Sequence, residues 1–354
     1  MTRSFDVRAI LTAGVAAMTV TMVAGIAPVA AQTTLRYADY SPNRGIRAEM
    51  VEDFLTQIET ESDGRIKIER YWAQALLSGT KILEGVRNGV ASIGTVTADY
   101  TPNDLFAYRV GDLPVRNPHE VAGALALYDL ATTNPVLQAE FDRLGVVYIA
   151  NYSVGPIQMV CNKAELTSVD DFAGKKTRAV GTWSQIYAAL GAIQAQVTLS
   201  ETYQALGSGM IDCSQAYGYT TESYKLYEVA TSFTVIDGGT IQANGMVFNK
   251  REFQALDPRD QEMIRRLGRE LTEEVAAATR ARNQDVIARL ETGIDGHVLA
   301  VHRFDEADLA RIDEVSQPFF DAFVKDAAAR DIDGAALLAD YRAALAAHLE
   351  TVRP

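Results

Sequence analysis

The chain has 354 residues, of which 48% are hydrophobic and 22% are charged. This length accommodates two domains with substantial cores, and the mixed composition excludes an intrinsically disordered chain. With 33 Lys and Arg against 46 Asp and Glu, the net charge of −13 argues against a nucleic-acid-binding protein, which needs a basic face. An acidic protein still accommodates an anionic ligand where one arginine dominates a pocket.

The first 31 residues have the pattern of a secretory signal peptide. Arg3 and Arg8 precede an uncharged apolar run over residues 9–27, and residues 29–31 have the small side chains of a cleavage site. The alternative is an uncleaved membrane anchor, because the apolar run approaches the length that spans a bilayer. Cleavage predicts a mature chain of residues 32–354 in the periplasm.

The rest of the chain alternates short apolar strands with helical stretches, which is typical of an α/β protein with mainly parallel pairing. Strands are predicted over residues 35–39, 65–70, 90–96, 146–150, 157–161 and 175–180. Helices are predicted over residues 46–60, 80–88 and 184–190, the last with Ser184 as its N-cap.

A long helix is predicted from Pro258 to about Glu291, with Asp257 as its N-cap and Pro258 as its first residue. At 1.5 Å per residue this helix reaches about 50 Å, which is longer than one small domain. We therefore expect it to run across two lobes. Two more helices, over about residues 306–329 and 334–351, close the chain.

Two segments that lie 120 residues apart share one design. Residues 84–93 and 204–213 each contain a helix end, a glycine suited to the left-handed cap conformation, and an apolar strand. Two lobes with the same construction would produce this similarity, which we call the echo. A general preference for helix–turn–strand units would produce it as well.

The chain has two cysteines, Cys161 and Cys213. Each lies in a strand-like run of the same half of the chain, and export to an oxidising compartment favours a disulfide between them. Two buried free thiols are the alternative. Neither cysteine has a histidine, aspartate or second cysteine at metal-ligand spacing, so no metal site is predicted.

Catalytic and cofactor motifs are absent from the sequence. There is no nucleophile elbow, no zinc-protease motif, no dinucleotide-binding fingerprint and no phosphate loop. A Ser/His/Asp triad remains open, because its members need not be close in sequence. The sequence predicts a protein without enzymatic activity and without a cofactor.

Arg178 is the sharpest candidate for a binding residue. It lies late in a predicted strand, and a helix N-terminus follows within a few residues, so its guanidinium is placed to hold a carboxylate or sulfonate in two parallel hydrogen bonds. An ordinary surface arginine is the alternative. Trp183, Tyr217 and Tyr219 lie at similar turns, where aromatic rings either wall a pocket or cap a core.

Several short motifs occur in a characteristic order behind the signal peptide, at residues 35–39, 64–66, 83–89, 113–114, 170–178, 201–206 and 209–212. In that order they resemble the periplasmic solute-binding proteins of TRAP transporters, the DctP-like family. The resemblance covers almost the entire mature chain.

The resemblance implies a two-lobed periplasmic-binding-protein fold with a central cleft, mixed and mainly parallel sheets, and a long helix spanning both lobes. Residues 32–154 are expected to form the first lobe, completed by about 245–290. Residues 155–244 are expected to form the second lobe, completed by about 291–354. The lobes would close over one small organic anion, whose carboxylate pairs with Arg178.

One departure from the family pattern concerns a second cation. Many members carry another arginine shortly after the glycine that matches Gly155, whereas this chain has Pro156 and Ile157 there. The resemblance therefore does not extend to a second fixed cation or to a dicarboxylate, and Gln158 is a candidate neutral donor. Six secondary candidates for the binding site lie in turns after strands or near the crossings, namely Tyr40, Arg44, Trp72, Tyr100, Gln215 and Asn244.

The function predicted from the sequence is capture of a small organic anion, a carboxylate or a sulfonate, by a monomeric periplasmic protein. Its partners would be the permease subunits of a TRAP transporter in the inner membrane, and no nucleic acid. Two alternatives stay open at this point. One is a secreted two-domain α/β enzyme acting on a small organic acid, and the other is a binding protein that serves a sensor or an ABC transporter.

Overall fold

The computed structural model describes residues 32–117, 119–152 and 154–352. The predicted signal peptide, residues 1–31, lies outside the described residues. The strands of the described part are β1 (Thr33–Ala38), β2 (Ile66–Tyr71), β3 (Ile93–Thr97), β4 (Val146–Asn151), β5 (Gln158–Cys161), β6 (Lys176–Arg178), β7 (Ile193–Ala195), β8 (Cys213–Ala216), β9 (Ser232–Val235), β10 (Asn244–Asn249) and β11 (Ala300–Arg303).

Helices cover both sheets. They are α1 (Ile46–Glu61), α2 (Ile82–Arg87), α3 (Glu120–Thr133), α4 (Pro135–Arg143), α5 (Gly181–Ala189), α6 (Thr202–Ser208), α7 (Gly218–Ser223), α8 (Lys250–Ala255), α9 (Pro258–Thr292), α10 (Glu306–Ala328) and α11 (Gly334–Thr351). Among the described residues, no helix combines the length and the apolar character needed to cross a membrane.

The strands form two mixed sheets. The first has the order β2-β1-β3-β10-β4, and the second has the order β11-β9-β5-β8-β6-β7. Within the described residues, five strand pairings are parallel and four are antiparallel. The antiparallel pairings all involve β10 or β5, the strands that follow the two crossings between the sheets. The structure confirms the predicted two-lobed α/β fold, with one lobe built on each sheet.

The lobes are joined by two segments that we call the hinge strands; the first comprises the described residues 152 and 154–157, and the second comprises residues 236–243. The amide of Ile157 donates to the carbonyl of Gly239 at 2.9 Å, and Pro156 forms a bridge with Thr240. These backbone contacts hold the two crossings side by side, so a rotation of one lobe against the other must bend both together.

The long helix α9 has 35 residues and packs against α1, α3 and β4 in the first lobe and against α7 in the second. It begins as predicted, because the carboxylate of Asp257 accepts from the amide of Arg259 and Pro258 is the first helical residue. The prediction that this helix spans both lobes is confirmed.

The two C-terminal helices differ from the sequence expectation. Residues 291–354 were expected to complete the second lobe, and β11 and the first half of α10 do so, with Ile312 in the core around Trp183. In the second half of α10 the ring of Phe323 stacks on Phe106 of the first lobe at 5.3 Å. Helix α11 packs against α3 through residues such as Tyr341, because its apolar face meets the unusually apolar surface of α3.

The echo between residues 84–93 and 204–213 corresponds to equivalent parts of the two lobes. Gly89 follows α2 and Gly209 follows α6, with φ angles of +76° and +75°. The strands that follow, β3 and β8, each have one parallel and one antiparallel neighbour. Each lobe therefore uses a left-handed glycine to turn from a helix into a central strand.

Cys161 and Cys213 form the predicted disulfide. They face each other in register on the antiparallel strands β5 and β8, with their Cα atoms 4.0 Å apart. Both side chains are fully buried. The bond therefore ties together two central strands of the second sheet, and the alternative of two free thiols is excluded.

Candidate functional site

A cavity of about 60 Å³ lies between the lobes. It is formed where the parallel strands of both sheets end at their carboxyl edges and where the antiparallel strand β10 begins, which is where open α/β sheets place their ligands. Eight of the expected binding residues line it, namely Tyr40, Arg44, Tyr100 and Asn244 from the first lobe and Arg178, Gln215, Tyr217 and Tyr219 from the second.

Arg178 ends β6 and is 3% exposed. Its Nε donates to the carbonyl of Val197 at 3.0 Å, and its Nη1 donates to the carbonyl of Gln215 at 3.4 Å. Among the described residues no carboxylate lies within ion-pair distance of this guanidinium, and its remaining N–H donors have no protein partner there. A buried, uncompensated charge of this kind is costly, so the site is prepared for an anion.

Gln215 and Tyr217 place a second donor beside Arg178. The Gln215 side chain accepts from the amide of Val180 at 3.2 Å and donates from Nε2 to the Tyr217 hydroxyl at 3.0 Å. Because that hydroxyl oxygen accepts from an amide, its own proton is available to a ligand. A carboxylate held by Arg178 would therefore also receive a hydrogen bond from Tyr217.

The sequence did not reveal the second buried arginine of the cavity, Arg47 on α1. Its Nη1 and Nη2 donate to the two carboxylate oxygens of Asp39 at 2.9 and 3.1 Å. The guanidinium also lies over the rings of Trp72 and Tyr152, at 5.7 and 5.5 Å from their centroids. A fork-to-fork pair between two aromatic rings fixes this arginine in one orientation.

A chain of hydrogen bonds orients Asn244 on the first-lobe side. The Tyr40 hydroxyl lies 2.9 Å from Oγ1 of Thr97, which donates to Oδ1 of Asn244 at 2.8 Å. Since its carbonyl oxygen is engaged, Asn244 presents its amide group to the cavity, where it makes no hydrogen bond to a described residue. Asn244 is thus a neutral donor on the first-lobe side of the cavity, whereas Arg178 lies on the second-lobe side.

Three of the tyrosines around the cavity, Tyr40, Tyr217 and Tyr219, are held in the uncharged form by burial. Burial raises the pKa of Tyr219 to about 12, and it raises the pKa of Tyr40 and Tyr217 well above their ordinary value. Tyr152 and Tyr224, which the sequence did not single out, also line the cavity, and their buried hydroxyls have no well-aligned hydrogen-bond partner among the described residues. The aromatic wall therefore offers neutral donors and ring faces to a ligand.

Trp183 does not line the cavity, although the sequence suggested it. Helix α5 begins at Gly181, three residues earlier than predicted, so Ser184 lies inside the helix and is not its N-cap. In this register Trp183 shares a helix face with Ile186 and Tyr187, and that face packs into the core of the second lobe.

Gln158 and Trp72 also lie outside the cavity. The side chain of Gln158 accepts from the amide of Ile236 at 2.6 Å and donates to Asp237 at 2.5 Å, so it stabilises the start of a hinge strand and is not free for a ligand. Trp72 donates to Glu52 at 2.6 Å and supports Arg47 from behind. Gln158 therefore supports a hinge strand, and Trp72 supports Arg47, but neither side chain lines the cavity.

The lobes approach each other on both sides of the cavity. On one side a Cβ atom added to Gly45 of the first lobe would lie 3.0 Å from Cβ of Ser223 in the second. On the other side a Cβ atom added to Gly181 would lie 2.1 Å from a carboxylate oxygen of Asp99, which follows β3 and pairs with Arg109. The structure therefore describes a closed arrangement with little space at its rims.

Replacing Gly181 with alanine is expected to weaken ligand binding by about ten-fold or more, because overpacking of about 1–3 kcal/mol would oppose closure. The added methyl group collides with Asp99, whose side chain is buried and has little room to move. Isothermal titration calorimetry with a ligand of the wild-type protein measures the effect.

Gly174→Ala is the matched control for this substitution. Gly174 also has a positive φ, +74°, but nothing lies within 4 Å of its added Cβ. Both variants therefore place an alanine at a positive φ, and only Gly181→Ala puts its methyl group against the other lobe. Equal affinities of the two variants would show that the contact between Asp99 and Gly181 does not limit closure.

Comparisons with known proteins complete the description of the site. Residues 37–326 match the family "Bacterial extracellular solute-binding protein, family 7", also called DctP. The ectoine-binding periplasmic protein TeaA of Halomonas elongata is 22% identical over 246 residues, which are 69% of this chain and 71% of TeaA. The C4-dicarboxylate-binding periplasmic protein DctP of Rhodobacter capsulatus is 23% identical over 278 residues, which are 77% of this chain and 81% of that protein.

A solved structure shows the same fold. It is that of a TRAP solute-binding protein from a marine metagenome, specific for aromatic acid ligands and in complex with metahydroxyphenylacetate. The two structures align with a TM-score of 0.80 at 21% identity, over 90% of this chain and 99% of the other.

Proposed function

Because the chain belongs to family 7 of the bacterial extracellular solute-binding proteins, the DctP family of TRAP systems, we propose that it captures a small organic anion in the periplasm. In this proposal residues 1–31 direct export and are removed, and the liganded protein delivers its cargo to the membrane subunits of a TRAP transporter. The lobes built on the two sheets are the halves of the clamp.

The observation that carries this proposal is the state of Arg178. Its guanidinium is buried at the closed cleft, is fixed by two backbone carbonyls, and has no carboxylate partner among the described residues. A ligand carboxylate or sulfonate would supply the missing charge in two parallel hydrogen bonds. The Tyr217 hydroxyl would donate to the same group.

The other residues that line the cavity favour ligand binding over an enzymatic reaction. Its walls consist mainly of neutral tyrosine rings, hydroxyls and amides, and no carboxylate, histidine or thiol lines it in the described part of the chain. Carboxylates, histidines and thiols are among the commonest general acids, bases and nucleophiles, and the serine, threonine and tyrosine hydroxyls of the lining have no such base beside them among the described lining residues. Members of this family are solute-binding proteins, and we assign no turnover to this one.

A ligand screen on the purified exported protein tests the proposal. We expect at least one class among aliphatic carboxylates, aromatic acids and sulfonates to raise the melting temperature, with a shift that grows with the logarithm of ligand concentration. Calorimetry then gives the dissociation constant, and NMR of the recovered ligand should show it unchanged. If no anion in the screen binds, anion capture is contradicted. If the recovered ligand is chemically altered, the alternative function of a secreted enzyme is favoured.

Uptake measurements separate the transporter classes. In cells that depend on this protein, uptake of the identified ligand should stop when the ion gradient across the inner membrane is dissipated. Uptake that persists without the gradient but stops on ATP depletion would identify an ABC transporter as the partner.

A further inference from the structure

We propose that the cleft selects ligands with a single negative charge, that is, compact monocarboxylates or monosulfonates whose remaining part is uncharged. This inference rests on the proposed function, anion capture, and adds the charge class of the ligand. The charge that the cavity offers to a ligand depends on which of its cations the protein itself neutralises.

Three arginines line the cavity, and among them Arg178 is buried without a carboxylate at ion-pair distance in the described part of the chain, since Asp99 interacts with it only over a longer distance. Arg47 is held by Asp39 through two hydrogen bonds, so the pair contributes no net charge. Arg44 is exposed on the turn after β1, where solvent and salt screen its field. No acidic residue of the described chain lines the cavity itself. The buried charge available to a ligand is therefore one.

Asp39 is too firmly held to release Arg47 to a ligand. Its carboxylate accepts from the Tyr37 hydroxyl at 2.5 Å, from Oγ1 of Thr95 at 2.9 Å and from the amide of Ser41 at 2.7 Å, in addition to both Arg47 nitrogens. A second carboxylate on a ligand would have to displace this fully buried, fully hydrogen-bonded group. The arrangement thus withholds the second cation that a dianion needs.

The neighbouring charges do not change this count. Arg109 lies behind the cavity and pairs with Asp99 at 3.4 Å, so it has no free charge to offer. The hydroxyls of Tyr217 and Tyr40 are protonated, since burial raises the pKa of both. The second end of the ligand therefore meets neutral groups, including the amide of Asn244.

The cavity also limits size. At about 60 Å³ it has room for about four to six water molecules in this conformation, if each needs about 10–15 Å³. A compact ligand fits such a space with a small adjustment of the lobes. An extended dianion would place its second charge against the Asp39–Arg47 pair or against neutral tyrosine rings.

Matched acids test the proposal on the wild-type protein by calorimetry. The probes are benzoate with phthalate and butyrate with succinate, each pair differing by one carboxylate. In every pair that binds, we expect the monocarboxylate to bind at least ten-fold more tightly. Equal or tighter binding of the dicarboxylate would overturn charge selection while leaving anion capture intact. If none of the four probes binds, the tightest monoanion from the ligand screen and its carboxylated derivative replace them.

Asp39→Asn tests the mechanism, because it removes the negative charge that compensates Arg47. We expect the preference for the monocarboxylate to fall by about ten-fold or to reverse. Asp260→Asn is the matched control, since Asp260 is also a buried carboxylate paired with an arginine, Arg65 at 2.7 Å, but lies far from the cleft. An unchanged preference in a folded Asp39→Asn protein would overturn the mechanism. If this variant does not fold, the wild-type comparison decides the proposal.

Discussion

Replacing Arg178 with glutamine is expected to weaken binding of the ligand by about 30-fold to a few thousand-fold, because loss of one partner of a buried charge pair costs about 2–5 kcal/mol. The unliganded variant should melt at the wild-type temperature or slightly above it, since the lost guanidinium has no carboxylate partner among the described residues. Calorimetry and thermal melts, with and without ligand, measure both effects. Arg178→Lys should retain part of the affinity, because it keeps the charge but not the planar fork.

Arg65→Gln is the control for this experiment. It removes an arginine that is paired with a buried carboxylate remote from the cleft, so it should lower the melting temperature and leave the affinity unchanged. We therefore expect Arg178→Gln to lose affinity at an unchanged or slightly raised melting temperature, and Arg65→Gln to lose melting temperature at an unchanged affinity. Wild-type affinity in Arg178→Gln would show that another group holds the anion.

Removing the disulfide is expected to have the largest effect on stability. The bond closes a loop of 52 residues, so its loss in the double variant Cys161→Ala, Cys213→Ala should cost about 4 kcal/mol by the loop-entropy relation. For a chain of this length that corresponds to a fall of about 6 °C in melting temperature. Alanine adds no polar group to the buried site, and scanning calorimetry measures the shift.

Reductant supplies the control. The wild-type protein melted in dithiothreitol should approach the melting temperature of the double variant, whereas the variant itself should not respond. A variant as stable as the oxidised wild type would mean that β5 and β8 are held by their hydrogen bonds and packing alone.

Features with strong local signals were predictable from the sequence. The start of α9 follows from Asp257 and Pro258, whose capping chemistry depends only on neighbouring residues. The position of Arg178 late in a strand follows from the strand predicted over residues 175–180 and from Gly181, which ends it. The cysteine pair was predictable because both residues lie in strand-like runs, although the register that places them opposite each other was not.

The features that the sequence did not reveal depend on side-chain direction or on contacts between distant segments. Arg47 lies within an ordinary amphipathic helix, and nothing local shows that Asp39 and Trp72 hold it at the cavity. Trp183 was predicted to face the cavity because the helix was expected to start three residues later. With α5 beginning at Gly181, the side chain of Trp183 points into the core of the second lobe. Helix α11 was assigned to the second lobe because sequence order does not show that α10 crosses back to the first.

The two tryptophans of the chain lie beside the two parts of the structure that we expect to change when a ligand binds. Trp72 lies beneath the Arg47 guanidinium at the cavity, and Trp183 packs against Gly239 of a hinge strand, where an added Cβ would come within 2.6 Å of its ring. Intrinsic fluorescence therefore carries two separate signals, one for occupancy and one for domain motion. A variant that keeps only Trp72 and a variant that keeps only Trp183 would each report one of these signals without an added label.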